Sequence, residues 1–189
     1  MIAYDEKLFV VELGKRAMYV FDNEDAKKYL AGPTSRGSGI RVMVGGAYDM
    51  EGPGPLHFFD SEKVTAAGFG KLVRDTLYPY FVQQQKKVGL FDNAPSHKGV
   101  ASGIFCELGI VRLDHPARSP DFNPIELCWN RMQQRINSSL PWDKHITVEM
   151  LKAAIWAAWQ MEAQYFESDM LHVVKVMDKA FIAKGGNKF

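Results

Sequence analysis

The chain has 189 residues and a formal net charge of +1, with 47% hydrophobic and 24% charged residues. This length suits a single domain over residues 1–189 with a sizeable core. The sequence has no apolar run near the roughly 20 residues that a membrane-spanning helix needs, and its two cysteines cannot form a disulfide framework. Because the net charge is small, any nucleic-acid binding must depend on a local basic patch.

The first part of the chain is typical of β-strands. Short apolar stretches with β-branched residues alternate with polar segments, and a Gly- and Ser-rich segment at 31–39 predicts a loop. A second segment, rich in Gly and Pro, predicts a turn between the last two of these strands. The predicted strands are Ile2–Tyr4, Phe9–Leu13, Ala17–Phe21, Arg41–Tyr48 and Leu56–Phe59.

The middle of the chain alternates between helix and strand signals. Ser61 is a suitable cap for a helix that ends near Leu77, because Pro79 follows that end. Val88–Phe91 is short and wholly apolar, as strands buried on both faces are. The elements that follow are a helix, Val100–Leu108, and a second buried strand, Ile110–Leu113.

From Pro124 onward the pattern is helical, and the part at 147–183 predicts C-terminal helices packed on the domain. Antiparallel strands, then alternating helix and strand, then helices together predict an α/β fold, in which a mixed sheet carries helices on both faces. Three stripes of apolar residues recur at helical spacing. They are Ile125, Trp129, Met132 and Ile136; Met150, Leu151, Ile155, Trp156 and Trp159; and Leu171, Val174, Met177 and Phe181.

Aspartates follow two of the predicted strands. Asp5 comes directly after Ile2–Tyr4, and Asp92 comes directly after Val88–Phe91. In open α/β sheets, functional groups gather at the carboxyl ends of strands. We therefore expect the two carboxylates to lie at one edge of the sheet if the two strands are neighbours.

A third acidic residue opens the helical part of the chain. Asn123 is a suitable N-cap, Pro124 fits the first helical position and Glu126 falls at the third. One interpretation is a capping box, in which Glu126 bonds back to the Asn123 N–H. The other is a site residue, because Glu126 lies off the buried stripe of its helix. In that case the three carboxylates would form an oxygen-ligand cage for a hard divalent cation.

Segments around these carboxylates resemble a known family. "DNAPSHKG", which begins at Asp92, and "SPDFNPIELCW", which contains Glu126, resemble the second and third catalytic blocks of mariner-like transposases, members of the DDE superfamily with an RNase H-like fold. "AYDEKLF" and "RVMVGGAY" resemble the first block and the strand after it. The interval between Asp92 and Glu126 falls within the range by which branches of that superfamily are sorted. The resemblance covers residues 2–136.

The resemblance implies that Asp5, Asp92 and Glu126 are the catalytic, metal-binding triad. Mg²⁺ would be the cofactor, with Mn²⁺ as a substitute and two ions as the expected number. Asp49 and Asp60 are fallback candidates for the position of Asp5, and are otherwise turn residues.

DNA is the partner that the resemblance implies. Asn93 and His97 match the second block, where they would shape the site or touch phosphate, while the alternative for His97 is an exposed loop histidine. Lys98 and Arg118 are predicted to line a DNA path together with Asn93 and His97. The alternative for Lys98 and Arg118 is that they are only solvated surface charges. The other basic residues considered for this DNA path are Lys86, Lys87, Arg112, Arg131 and Arg135.

The implied activity is DNA cleavage and strand transfer at transposon ends by metal-assisted in-line phosphoryl transfer. The partners would be transposon ends, target DNA and a second copy of the chain in a homodimer. The location would be the nucleus of a eukaryotic host, or otherwise the cytoplasm or nucleoid. Family members carry a helix-turn-helix domain before the catalytic domain, and we expect it to be absent here. The alternatives are another RNase H-like nuclease, or a relative that binds DNA or proteins without catalysis.

Overall fold

The structure, a computed structural model, describes residues 1–12, 39–113, 116, 119–140 and 146–182. The predicted strand Ala17–Phe21, most of the predicted loop at 31–39 and the predicted DNA contact Arg118 lie outside these residues. The three predicted catalytic residues are all described.

The centre of the fold is a five-stranded mixed sheet. Within the described ranges its strands are β1 (Ile2–Glu12), β2 (Gly39–Asp49), β3 (Gly52–Phe58), β4 (Val88–Leu90) and β5 (Val111–Leu113). They lie in the order β3–β2–β1–β4–β5, so β1 is central. β1 pairs antiparallel with β2, and β2 with β3, whereas β4 runs parallel to β1 and β5 runs parallel to β4.

The first strand is longer than the sequence predicts. The predicted strand Ile2–Tyr4 and residues 9–12 of the predicted strand Phe9–Leu13 are parts of one strand of 11 residues that continues to Glu12, and Leu13 lies outside the described residues. The polar residues between the two apolar stretches stay in the strand because each of them pairs with a residue of β2. Asp5 therefore lies within a paired strand, and the prediction that it follows the end of a strand is wrong.

Helices pack on both faces of this sheet. In the part of the chain that the structure describes, they are α1 (Ala66–Leu72), α2 (Tyr78–Gln83), α3 (Val100–Glu107), α4 (Ile125–Ser139), α5 (Val148–Gln160) and α6 (Phe166–Ile182). One face packs against α4 and α5, and the other packs against α1, α2 and α3. The predicted α/β class, a mixed sheet with helices on both faces and a helical C-terminal segment, is therefore confirmed. None of the described helices is long and apolar enough to cross a membrane.

The first helical segment begins and ends later than predicted. Its N-cap is Thr65 and not Ser61. The Thr65 hydroxyl accepts a hydrogen bond from the Gly68 N–H. A π-helical turn, Val73–Leu77, joins α1 to α2. Pro79 lies in the first turn of α2, directly after this π-helical turn. The helical segment therefore continues through the proline.

Each face of the sheet has its own apolar core. On the face covered by α4 and α5, the rings of Trp129 and Trp159 stack with centroids 5.3 Å apart. On the opposite face, Tyr4 packs against the residues of α1 and α3. Because side chains along a strand alternate between its faces, Asp5 lies on the α4 side of β1 and Glu6 on the α1–α3 side.

The three predicted helical stripes differ in their burial. The α4 stripe is fully buried, and so are Leu151, Ile155 and Trp159 of α5, whereas Trp156 is 51% exposed. The α6 stripe faces outward, although Phe166 at the start of this helix is buried. The helix nevertheless packs on the domain, as predicted, through a different face that includes Phe166, Asp169 and Val173. The outward residues are Leu171, Val174, Met177 and Phe181.

Candidate active site

The sheet register brings the two predicted aspartates together. β1 and β4 are parallel neighbours, with Ala3 opposite Leu90. Asp5 and Asp92 each lie two residues beyond this pair, so both reach the edge of the sheet where β4 ends. The carboxylates therefore share one edge, as the sequence predicts, although β1 itself continues past Asp5.

Glu126 reaches this edge on the first turn of α4. The predicted capping box is wrong, because the Asn123 N–H donates instead to the carbonyl oxygen of Pro120 at 2.8 Å. The Asn123 side chain does cap the helix start, with its Oδ1 3.4 Å from the Ile125 nitrogen. The half-buried Glu126 lies close enough to Asp5 for its carboxylate to raise the pKa of that residue.

Asp5 is the most enclosed of the three carboxylates. This residue is 9% exposed, and its Oδ2 accepts a hydrogen bond of 3.2 Å from the indole Nε1 of Trp129. Burial raises the pKa of Asp5 well above its ordinary value, and the nearby carboxylates of Glu126, Glu6 and Asp92 raise it further. The negative charges therefore repel one another around Asp5, and a bound cation would relieve this repulsion.

A glycine of β2 makes room for this arrangement. Gly46 pairs with Asp5 in the sheet. A Cβ at this position would lie 2.6 Å from the Trp129 ring and 2.9 Å from the Trp159 ring. Any side chain larger than that of glycine would therefore displace the indole that donates to Asp5.

His97 contacts Asp92 and is fully buried. Its Nδ1 is 2.7 Å from Asp92 Oδ1, and its Nε2 is 2.9 Å from Glu6 Oε1. Because both nitrogens face carboxylates, the protonated form of the ring, in which both nitrogens can donate, is favoured. Burial alone would lower the pKa of His97, but hydrogen bonds to Asp92 and Glu6 raise this pKa to about 9. The exposed-loop interpretation is therefore wrong, and so is the predicted contact between His97 and DNA.

Sequence reasoning did not assign Glu6 to the site. Glu6, Asp92 and His97 each offer one potential ligand atom, and these atoms lie within 4.8 Å of one another. The alternation of side chains along β1 is the signal that would have placed Glu6 across the strand from Asp5. We use the term carboxylate cluster for Asp5, Glu6, Asp92 and Glu126. Within it, His97 links Asp92 to Glu6.

The loop that carries Asp92 is fixed by Arg112 of β5. One guanidinium nitrogen donates to the His97 carbonyl oxygen at 2.9 Å, and the other donates to the Asp92 carbonyl oxygen at 3.3 Å. The guanidinium also lies over the Phe105 ring, 5.4 Å from its centroid. Arg112 is therefore used in the interior, and its predicted place on a DNA path is wrong.

A second group of buried charges involves two more of the basic residues. Arg131 of α4 binds Glu162 and Asp169, with a nitrogen–oxygen distance of 2.6 Å to each, and Arg135 also binds Glu162. Glu162 is fully buried, Asp169 is 3% exposed, and the Tyr48 hydroxyl donates to Asp169 at 3.1 Å. We use the term ion-pair cluster for Arg131, Arg135, Glu162 and Asp169. These arginines hold α4 to the C-terminal segment, and their place on a DNA path stays a prediction.

The other predicted DNA contacts fall into two groups. Asn93 and Lys98 are exposed, close in sequence to Asp92. Lys86 instead binds the buried carboxylate of Asp49 at 2.8 Å. Asp49 is therefore used in an ion pair on β2, and Asn93 and Lys98 are left at the surface near the carboxylate cluster.

The sequence of this chain matches the family described as DDE superfamily endonuclease over residues 2–149, which include all three predicted catalytic residues. The chain belongs to this family. The Tc1 transposase of Caenorhabditis elegans is 30% identical to this family member over 107 residues, which are 55% of this chain and 39% of Tc1 transposase. The chain thus spans well under half the length of that relative.

Solved structures share the fold of this endonuclease family member. The Mos1 mariner paired end complex with Mn superposes with a TM-score of 0.77 at 20% identity, over 100% of this chain and 56% of the Mos1 chain. The Mos1 transposase catalytic domain with Raltegravir and Mg gives 0.64 at 18% identity, over 100% of this chain and 84% of that chain. The fold is therefore that of a mariner transposase catalytic domain, which is RNase H-like, as the sequence predicts.

Proposed function

We propose that this chain is the catalytic part of a DNA transposase, which cleaves DNA at transposon ends and joins the ends to target DNA by in-line phosphoryl transfer. Family membership and the similarity to Tc1 transposase support this proposal. The observation that carries it is the carboxylate cluster, in which the pKa of the buried Asp5 is raised by burial and by three further carboxylates. Repelling carboxylates at the edge of a sheet are a setting in which divalent cations bind.

Mg²⁺ is the proposed cofactor, with Mn²⁺ as a substitute and two bound ions. The donor set fits these ions, because both prefer carboxylate oxygens, and the pKa of Asp5 is raised first by burial and then by the nearby carboxylates. Asp5, Asp92 and Glu126 would hold the metal. Mos1 structures with Mn and with Mg support the choice of ions. When bound, such ions activate the attacking hydroxyl or water and stabilise the leaving oxygen.

The residues of the chain supply position and access. Asp5 is held in the middle of β1 and by the indole of Trp129, so its carboxylate has little freedom to move. The Asp92 side chain is 42% exposed, so the cluster opens to solvent on this side, where a phosphodiester can approach. Asn93 and Lys98 are exposed nearby and would contact phosphate oxygens.

Transposon ends and target DNA are the proposed partners, and a homodimer is the proposed active assembly. The similarity in fold to a Mos1 paired end complex supports both. The net charge of +1 and the internal bonds of Arg112, Arg131 and Arg135 predict that the isolated chain binds duplex DNA weakly and with little sequence preference. A binding titration at physiological salt measures this, and sequence-selective affinity in the nanomolar range would contradict it.

Nicking of supercoiled plasmid DNA tests the proposed activity. The wild type should nick the plasmid with Mg²⁺ or Mn²⁺, and Asp92→Asn should abolish nicking because it removes a metal ligand. Asp178→Asn, which changes an exposed aspartate on α6, is the matched control and should leave nicking intact. Wild-type activity in excess EDTA, or full activity of Asp92→Asn, would contradict the proposal.

A further inference from the structure

The surroundings of His97 hold its ring in one orientation. The ring packs against Phe69 with centroids 4.1 Å apart and planes at 36°. The rings of Tyr4 and Phe91 lie 6.1 Å and 6.2 Å away, and the histidine has no exposed surface. A polar ring in an aromatic enclosure is stable there only because both of its nitrogens are hydrogen-bonded.

The two bonds of His97 join two strands of the sheet. Nδ1 bonds to Asp92, which follows β4, and Nε2 bonds to Glu6, which lies in β1 next to Asp5. The Glu6 side chain is only 11% exposed, so the enclosure holds it too. The histidine therefore ties the loop after β4 to the strand that carries Asp5.

The bond to Asp92 falls on an oxygen that already has another donor. Asp92 Oδ1 accepts a hydrogen bond from the backbone N–H of Ala94 at 2.9 Å, and His97 Nδ1 lies 2.7 Å from the same oxygen in an ion-pair contact. Nδ1 also lies 3.2 Å from the carbonyl oxygen of Asp92, so the ring contacts both the side chain and the backbone of this residue. A hydrogen bond and an ion-pair contact on one oxygen restrict the rotation of a carboxylate, since rotation would break both. Arg112 fixes the backbone of the same loop through two carbonyl oxygens.

His97 is not itself suited to bind a metal in this arrangement. Each of its nitrogens already lies within 2.9 Å of a carboxylate oxygen, and the ring has no exposed surface through which an ion could approach. The two nitrogen–oxygen distances, 2.7 and 2.9 Å, are also those of charge-assisted hydrogen bonds. The geometry therefore favours a role that acts through Asp92.

We propose that His97 is a positioning residue, held by Glu6, that fixes the Asp92 carboxylate in the orientation required for metal binding. This inference rests on the proposed function, because it assumes that Asp92 is a metal ligand. Partners that orient ligand carboxylates in this way typically contribute 10–100-fold to metal affinity.

Two substitutions of His97 separate positioning from simple packing. His97→Asn places an amide nitrogen near the position of Nδ1 and can still donate to Asp92, whereas His97→Gln places it near the position of Nε2 and bonds only to Glu6. Both remove the ring and its contact with Phe69. His172→Gln, on the exposed surface of α6, is the matched control.

The measurement is the Mn²⁺ dissociation constant without DNA, by calorimetric titration, at a temperature where circular dichroism shows each variant folded. His97→Gln should weaken Mn²⁺ binding about tenfold or more, His97→Asn should weaken it less, and His172→Gln should not change it. Equal dissociation constants for the wild type, His97→Asn and His97→Gln would overturn the proposal, since packing alone would then explain the histidine.

Glu6→Gln tests the same link from its other end with little change of shape. It should weaken Mn²⁺ binding less than His97→Gln does, and the double variant should bind no more weakly than His97→Gln alone, because both act through Asp92. Additive losses, or no loss in Glu6→Gln, would contradict the role of Glu6. Mn²⁺ binding that is absent in the wild type, or unchanged in Asp92→Asn, would instead refute the proposed metal site, and the positioning role with it.

Discussion

The molecule buries two groups of acidic side chains, and they differ in how their charge is balanced. In the ion-pair cluster, Glu162 and Asp169 face the guanidinium groups of Arg131 and Arg135. In the carboxylate cluster, four carboxylates surround a site where the pKa of Asp5 is raised by burial and by its acidic neighbours. Buried acidic residues alone therefore do not identify a functional site. Buried carboxylates that repel one another are a better indication of such a site.

Both clusters depend on the same helix. The first turn of α4 carries Glu126, and Trp129 on the next turn donates to Asp5. Arg131 and Arg135 follow and bind the C-terminal segment. Substitutions along one helix can therefore change stability and metal binding separately.

The largest expected effect comes from breaking the balance of the ion-pair cluster. Arg131→Ala should lower the free energy of unfolding by about 3–5 kcal/mol, because it leaves two buried carboxylates with one guanidinium group fewer. Urea denaturation of the wild type and the variant measures this loss.

The control for Arg131 is a second arginine with a bidentate pair. Arg74 binds Glu107 through two bonds, but both side chains are exposed, so Arg74→Ala should change the unfolding midpoint far less. If the two alanine variants are equally stable, burial does not distinguish these pairs, and the first half of the comparison is wrong.

The next effect concerns pH and the carboxylate cluster. The pKa of Asp5 in the folded chain is raised above its unfolded value. The stability that protonated Asp5 contributes is therefore fully present below a pH of about 4 and is lost as the pH rises through the folded pKa. In EDTA, the wild type should lose stability relative to Asp5→Asn as the pH rises. Denaturation at several pH values measures this difference, and a difference independent of pH would contradict the prediction.

Metal should reverse this destabilisation. At a free Mn²⁺ concentration ten times the dissociation constant, one bound ion adds about 1.4 kcal/mol to the free energy of unfolding. For a chain of this size the melting temperature should rise by about 3–6 °C. Calorimetric scans with EDTA and with Mn²⁺ should show this rise in the wild type and in Asp178→Asn, but not in Asp92→Asn. Equal shifts in all three, or none in any, would rule out the carboxylate site.

The smallest expected effect on stability concerns Tyr48, whose hydroxyl donates to Asp169 of the ion-pair cluster. Tyr48→Phe removes one hydrogen bond to Asp169 but leaves both bonds from Arg131 in place. It should cost about 1 kcal/mol of stability and leave the Mn²⁺ shift unchanged. A loss as large as that of Arg131→Ala would mean that the phenol, and not the guanidinium, balances Asp169.

The fold class and the meeting of Asp5 with Asp92 could be predicted because both depend on local patterns. Apolar stretches mark the strands, and a parallel register then brings equivalent positions to one edge. The ends of the strands were harder to predict from the sequence. Asp5 looks like the end of a strand because apolar residues stop there, but pairing with β2 carries β1 onward.

The contacts that the polar side chains make could not be predicted from local sequence patterns. Glu6 and His97 are 91 residues apart, and Arg131 and Asp169 are 38 apart. A histidine or an arginine becomes an interior residue only when a distant carboxylate is brought to it, and no nearby residue signals this. The capping-box pattern at Glu126 misled for a different, local reason, because the Asn123 N–H bonds to the nearby carbonyl oxygen of Pro120.

Because α4 is held by packing and by ion pairs, insertions and deletions between β5 and α4 need not move Glu126. Its buried stripe rests on the sheet, and its arginines bind the C-terminal segment, so packing sets the position of Glu126. The number of residues that join β5 to α4 does not set it. Chains that lengthen or shorten this interval can therefore keep the same spacing between the Asp92 and Glu126 carboxylates.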